Sequence, residues 1–337
     1  MNKKYLVLKG CAGLGNRLFT LANAIAYAKK TSRVIYVDWA DGQFAAPGKN
    51  AFYEYFSLTN VEHITSIDEI SGLEKLSVYP KLWKTNKNKG LYDLYVQDSS
   101  DKLNKIPRKL VPKGSLRKIY GCWQPVSKQE KAFNTDMHAL KSVFSKDSVP
   151  LGGHYSYNLA SDVVFFSDFM PCYNAQILRD NIVLQEPLKN KLLFLRNELF
   201  KNKKITGIHV RATDKQPTQS VKKLAGLLKQ TDNADNEIFL ATDNKEVENI
   251  LKESFPETIT LKKFLPEKHS EGLHQYALYN HKPDLAERLF EESVLDMWLL
   301  SLCDKLYYQG NSSFSIMSKE IKNNPACCFD WQKLVAG

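Results

Sequence analysis

The chain has 337 residues, enough for two ordinary domains, and no apolar run approaches the roughly 20 residues a membrane-spanning helix needs. Its hydrophobic fraction of 43% is that of a folded chain, which excludes a disordered one. The net charge of +10 comes from dispersed lysines with no zinc-finger, RNA-recognition or basic-zipper pattern, so nucleic acid is not the expected partner; weak peripheral contact with an anionic membrane surface stays open.

Six cysteines (Cys11, Cys122, Cys172, Cys303, Cys327 and Cys328) form no C-x-x-C pair and have no histidine at zinc-finger spacing. They read as small apolar fillers in a reducing compartment. The apolar run near the N-terminus, Tyr5 to Leu8, is too short for a signal peptide, and the expected location is cytoplasmic.

Tyr5 to Leu8 predicts a strand, followed by a glycine-rich turn, Gly10-Cys11-Ala12-Gly13-Leu14-Gly15-Asn16-Arg17. Leu18, Leu21, Ala22, Ile25 and Ala26 then recur at helical spacing, and Val34 to Val37 predicts a second strand ending in Asp38. This is a βαβ unit, which implies a parallel sheet. The turn is not a dinucleotide fingerprint, because Leu18 stands where the third glycine of G-x-G-x-x-G belongs. Residues 40–115 predict irregular structure with small helices, and Lys118 to Trp123 and Asp162 to Phe166 predict strands. Pro187 to Phe200 carries Leu188, Leu192, Leu195 and Leu199 on one helical stripe, with proline in the first turn where its missing N–H does no harm.

The second half alternates strands and helices. The stretch Lys204 to Lys215 starts like a buried strand, with Ile205, Ile208 and Val210, and ends in a polar cluster; further strands are predicted at Glu237 to Thr242, Thr258 to Leu261 and Lys305 to Tyr308. Helices are predicted at Val221 to Leu228, Lys245 to Phe255, Asp284 to Cys303 and Ser312 to Lys322. The pattern predicts an α/β protein of two Rossmann-like domains facing a cleft. The expected division is residues 1–185 for an acceptor-side domain, 186–324 for a donor-binding domain, and 325–337 for a tail that packs back on the first domain.

The strand from Ile205 ends in His209, Arg211, Asp214 and Lys215. Ligands of open α/β sheets bind beyond the carboxyl ends of strands. An arginine fork with a lysine four residues on suits a phosphate or pyrophosphate; an ordinary strand followed by a solvated charged turn fits the spacing about as well. Ser312 and Ser313 open a helix, where hydroxyls and free N–H groups can meet a phosphate or merely cap the helix.

Several ordered segments resemble the α1,6-fucosyltransferases, including the nodulation-factor enzymes and the core fucosyltransferase of N-glycans. Gly13-Leu14-Gly15-Asn16-Arg17-Leu18 resembles their GLGN-type loop, and Ile208-His209-Val210-Arg211-Ala212-Thr213-Asp214-Lys215 their H-V-R-R-T-D-K segment. Ala241-Thr242-Asp243-Asn244, Leu273-His274, Leu295-Asp296-Met297-Trp298-Leu299-Leu300-Ser301-Leu302-Cys303-Asp304 and Gly310-Asn311-Ser312-Ser313-Phe314-Ser315 follow in the same order. The resemblance implies a GT-B-type, metal-independent, inverting transfer of fucose from GDP-β-L-fucose to a hydroxyl of a glycan or lipid-linked oligosaccharide, with no cofactor. It implies a donor site of Gly13, Gly15, Asn16, Arg17, His209, Arg211, Lys215, Asp296, Ser312 and Ser313, with Arg211 and Lys215 neutralising the departing pyrophosphate. His209 and Asp296 match positions near the guanine. Asp243 reads as a cap of the following helix.

Two departures stand out. Ala212 replaces the second arginine of the family's pair, and Gln219 stands where the family has its catalytic glutamate. An amide cannot serve as general base, so Asp38, and with it Asp41, becomes the candidate across the cleft. The alternatives are a GDP-sugar or glycan-binding protein with impaired catalysis, which Gln219 favours, and a nicotinamide-dependent enzyme built on Gly13 to Gly15, which Leu18 disfavours.

Overall fold

Lys4–Lys9 (β1) and Arg33–Asp38 (β2) flank the 18-residue helix Leu14–Thr31 (α1) in a computed structural model. The structure describes residues 3–10, 12–46, 48–79, 81–88, 116–119, 122–125, 160–166, 174–213, 218–231, 237–267, 272–273, 276–277 and 282–336. It divides into two compact units, one of residues 1–12 and 19–183, the other of residues 13–18 and 184–337.

The first unit is built on a parallel sheet. β1 pairs in register with β2 on one side and with Val163–Phe166 (β7) on the other. The short strand Val78–Tyr79 (β4) completes the order β2-β1-β7-β4. β1, β2 and β7 are almost wholly buried, so their sequences are runs of Val, Ile, Leu, Tyr and Phe rather than alternations. Between β2 and β4 the chain forms Ala51–Tyr55 (α2), Phe56–Leu58 (β3) and two 3₁₀ turns. Asn50 caps α2 through its side chain, and Trp39, Phe44, Phe52 and Phe56 pack edge to face beneath it. The strand expected over 118–123 is two strands: Leu116–Ile119 (β5) pairs antiparallel with Cys122–Pro125 (β6). Gln176–Asn181 (α3) and Ile182–Leu184 (β8) lead out of the unit, β8 pairing with β3.

The second unit repeats the plan. Ile205–Val210 (β9) lies between Glu237–Thr242 (β10) and Lys305–Tyr308 (β11), and Cys328–Asp330 (β12) closes the order β10-β9-β11-β12, all parallel. Helices Glu186–Phe200 (α4), Thr218–Thr231 (α5), Lys245–Ser254 (α6), Pro283–Leu302 (α7), Ser313–Lys322 (α8) and Trp331–Ala336 (α9) surround it. One face of the sheet packs Ile208, Val210, Leu240 and Tyr307 against Val221, Leu224 and Leu228 of α5, Val247 and Leu251 of α6, and Trp331. On the other face Gly207 meets Cys303 just past α7. A Cβ there would lie 2.8 Å from the Cys303 sulfur, so only glycine lets strand and helix come this close. Cys303 itself is buried, as expected of an apolar filler, and burial pushes its thiol well above the usual range.

One expectation is corrected. The segment Thr258 to Leu261 forms only an isolated bridge, Ile259 to Phe239. From residue 325 the chain adds β12 to the second unit's sheet and lays α9 beside α5, where Phe329 and Trp331 find apolar partners. The chain is therefore a mixed α/β protein with parallel sheets.

Candidate functional site

From β9 the chain first adds β10 on one side and then β11 on the other. That reversal makes the gap beyond the carboxyl ends of β9 and β11 a topological switch point, where open parallel sheets bind ligands. The end of β9 supplies His209 and Arg211, and the turn after β11 supplies Gln309 to Ser313.

Arg211 is held by its backbone. Gln309, fully buried, accepts from the Arg211 N–H through Oε1 (2.7 Å) and donates to the Arg211 carbonyl through Nε2 (3.3 Å). The amide thus continues the sheet ladder where the strands themselves stop pairing. Asp243 does not cap α6. Asn244 does, accepting from Val247 N–H at 3.1 Å, while Asp243 Oδ1 accepts from Ala212 N–H at 2.9 Å and steadies the turn that carries Arg211. From the tail, Trp331 Nε1 donates to the His209 carbonyl (3.0 Å), and Asp330 Oδ1 accepts from Gly310 N–H (3.2 Å). Gly310 is required there, since a Cβ would fall 2.2 Å from the Asp330 carboxylate.

His209 is buried and stacks on Phe314 at 4.8 Å. Burial first, then the neighbouring cations Arg211 and Lys263, pull its pKa down to about 3, so the ring is neutral across the physiological range. Its Nδ1 has no hydrogen-bond partner among the described residues. Asp296 faces inward from α7 rather than to solvent. It forms a buried ion pair with Lys263 through Oδ2, while Oδ1 has no partner among the described residues. Burial pushes the Asp296 carboxyl above its ordinary value, and the Lys263 ammonium opposes that shift.

Ser312 stands at the N-cap of α8 but makes no side-chain cap bond, and its buried Oγ also has no partner among the described residues. Ser313 begins the helix. The glycine turn belongs to this same unit, which contains Gly13 to Leu18. Gly15 lies so close to the first turn of α8 that a Cβ would fall 2.5 Å from the Ser313 carbonyl carbon. The first turn of α1 therefore rests on the first turn of α8, with Arg17 buried within it. Free N–H groups at helix starts together with a buried guanidinium form an environment for an anion. Asn16 lies on the same turn as Gly15 and Arg17.

The structure thus brings together His209, Arg211, Asp296, Ser312 and Ser313, and sets Gly13 to Arg17 beside them. Lys215, Asp214 and His274 lie outside the described residues, and Gln219 is the second residue of α5. Asp38 has a different setting. In the first unit it is buried, its Oδ2 bound to the Lys9 ammonium at 2.5 Å and its Oδ1 accepting from Ala40 N–H. A carboxylate with both oxygens committed to its own unit serves as an anchor, so the general-base expectation gains no support from this geometry. Sequence reasoning gave no role to Lys263, Gln309 and Trp331, and it held Phe314 only as part of the segment Gly310 to Ser315; Trp331 carried a signal as an aromatic residue in a stretch otherwise taken for a tail.

Among the described residues no group of three or more His, Cys, Asp or Glu could hold a metal ion, and no helix is long and apolar enough to cross a membrane. No protein-family model and no curated protein sequence matches the chain. Solved structures do. The fucosyltransferase NodZ from Bradyrhizobium is similar over 95% of this chain and 92% of that one, at 17% identity and a TM-score of 0.63. NodZ α-1,6-fucosyltransferase co-crystallised with GDP is similar over 95% and 92%, at 17% identity and a TM-score of 0.62. The apo form of POFUT1 is similar over 97% and 98%, at 11% identity and a TM-score of 0.50. The chain has the fold of these fucosyltransferases.

Proposed function

We propose that this protein is a glycosyltransferase that binds GDP-β-L-fucose in its second unit and transfers fucose, with inversion, to a hydroxyl of a glycan or lipid-linked oligosaccharide. One observation carries this reading. At the switch point of the second sheet, three buried polar atoms have no partner among the described residues: His209 Nδ1, Asp296 Oδ1 and Ser312 Oγ. Buried polar groups in folded proteins are almost always paired, and leaving three unpaired at one sheet end costs stability unless a ligand supplies the partners. A nucleoside diphosphate has the matching parts: a base N–H for Asp296, and phosphate oxygens for Ser312 and the helix start. Fold likeness to NodZ, solved with GDP and soaked with GDP-fucose, points to the same donor.

Arg211 faces the charge that develops on the departing GDP, with Lys215 as its second cation. A fixed cation in a water-poor site stabilises the transition state more than the ground state, so the side chains take the part a metal plays elsewhere. The net charge of +10 favours an acceptor at an anionic membrane surface in the cytoplasm.

Calorimetry with GDP and UDP is the test. GDP should bind and UDP bind more weakly, and Asp296→Ala should weaken GDP by about 1–3 kcal/mol. No measurable GDP binding, or equal affinity for the two, overturns the donor assignment. Turnover should survive dialysis against EDTA, and its loss with recovery on adding Mn²⁺ or Mg²⁺ would remove the metal-independent mechanism.

A further inference from the structure

Lys263 has no role in the reading above, although it is buried beside Asp296. The two side chains are 8% and 5% exposed. Lys263 is not placed there by chance of a long side chain. Its neighbour Phe264 donates its backbone N–H to Glu292 Oε2 at 3.0 Å, and Glu292, one helical turn before Asp296 on α7, is itself held by Arg288 at 2.7 Å. The chain before it is pinned to β10 by the Ile259 bridge. The ammonium is thus fixed on one oxygen of Asp296 while the other oxygen has no partner among the described residues.

A carboxylate alone offers two acceptors side by side. This pair offers a donor and an acceptor side by side, which is a different recognition surface. An acceptor beside a ring N–H matches it, as with O6 and N1–H of a 6-oxopurine. A 6-aminopurine presents the reverse order, an amine donor beside the N1 acceptor, and so sets donor against ammonium and lone pair against carboxylate.

Resting on the GDP reading, we infer that Lys263 is a specificity-determining residue: the Lys263–Asp296 pair reads the O6 and N1–H edge of a 6-oxopurine, and the 2-amino group of guanine is not read. The Lys263 ammonium also opposes the upward shift that burial imposes on the Asp296 carboxyl.

The test is calorimetry on the full chain with GDP, IDP and ADP, for the parent protein and for Lys263→Met. IDP has O6 and N1–H but lacks the 2-amino group. In the parent, IDP should bind within about threefold of GDP, and ADP at least about 50-fold more weakly, the scale of charged hydrogen bonds lost and reversed. Lys263→Met should weaken GDP and IDP at least about tenfold and narrow the gap to ADP. If IDP binds the parent more than about tenfold below GDP, the 2-amino group is read and the inference is wrong. It is equally wrong if Lys263→Met, with a cooperative melt, keeps the parental GDP-to-ADP ratio. Should that variant not fold, the parental IDP comparison decides alone. Absence of GDP binding to the parent would remove the donor reading as well, whereas GDP binding with an IDP deficit removes only this inference about the purine edge.

Discussion

At the ends of β1 and β2 the first unit buries Lys9 against Asp38, whereas at the end of β9 the second unit buries His209 with a ring nitrogen that has no partner among the described residues. The two sheets share one plan. In each, the first strand of the sheet lies in the interior, the next pairs on one side, and a later strand pairs on the other. In the first unit the Lys9 ammonium binds Asp38 at 2.5 Å and the Lys87 carbonyl at 2.6 Å, and lies 4.9 Å from the Trp83 ring centre. In the second, one oxygen of Asp296 has no partner among the described residues, and Ser312 makes no side-chain bond to the helix it precedes. Topology marks a switch point in both. What separates an internal strut from a candidate site is whether the polar groups gathered there are used up within the fold.

Breaking the second sheet's end should have the largest effect. Arg211→Ala should lower turnover about a thousandfold, equivalent to about 4 kcal/mol of transition-state stabilisation. The variant should melt with the parent, because Gln309 binds only the backbone of residue 211, which alanine keeps. Near-parental turnover in a folded variant would take Arg211 out of the site.

Breaking the first sheet's end should cost stability rather than chemistry. Asp38→Asn leaves the buried Lys9 ammonium without its counter-charge, and denaturant unfolding should show a loss of about 3 kcal/mol with GDP affinity unchanged. The opposite outcome, parental stability with turnover down about a hundredfold, would restore Asp38 as the general base.

A pH series sharpens the contrast. His209 has its pKa lowered from 6.5 to about 3 by burial and by the cations Arg211 and Lys263. The unfolded chain therefore binds a proton to this residue below 6.5 while the folded one does not. Stability is fully present above that value and falls as pH drops toward about 3. Between pH 7 and pH 5 the loss from this group is about 2 kcal/mol. His209→Gln, which cannot charge, should flatten that part of the profile, and an unchanged slope would show that His209 is not buried neutral.

Much of the fold was legible because hydrophobic periodicity is local. β10 and β11 match their expected limits, and α4, α7 and α8 fall within a residue of theirs, since a strand or helix that must bury a face writes that face into its own sequence. The strand expected at 258–261 failed for the same reason: its apolar residues meet the sheet through a single bridge, and pattern alone cannot count ladder bonds. That 328–330 joins the edge of the second sheet was not legible, because nothing within 325–337 states which edge will accept it.

At the site, His209, Arg211, Asp296, Ser312 and Ser313 were visible in linear order, as polar residues following apolar strands or set into an apolar helix. Their partners were not. Lys263 follows Lys262 in a run that reads as solvated surface, yet packing carries it 33 residues along the chain to Asp296. Gln309, one residue past the expected end of a strand, holds both backbone groups of Arg211. Asp38 looked free and is neutralised by Lys9, 29 residues before it. Which side chains end a strand follows from local order, but which charges are cancelled and which valences stay open depends on segments far apart in the chain meeting within a few ångströms, and only the folded arrangement sets those distances.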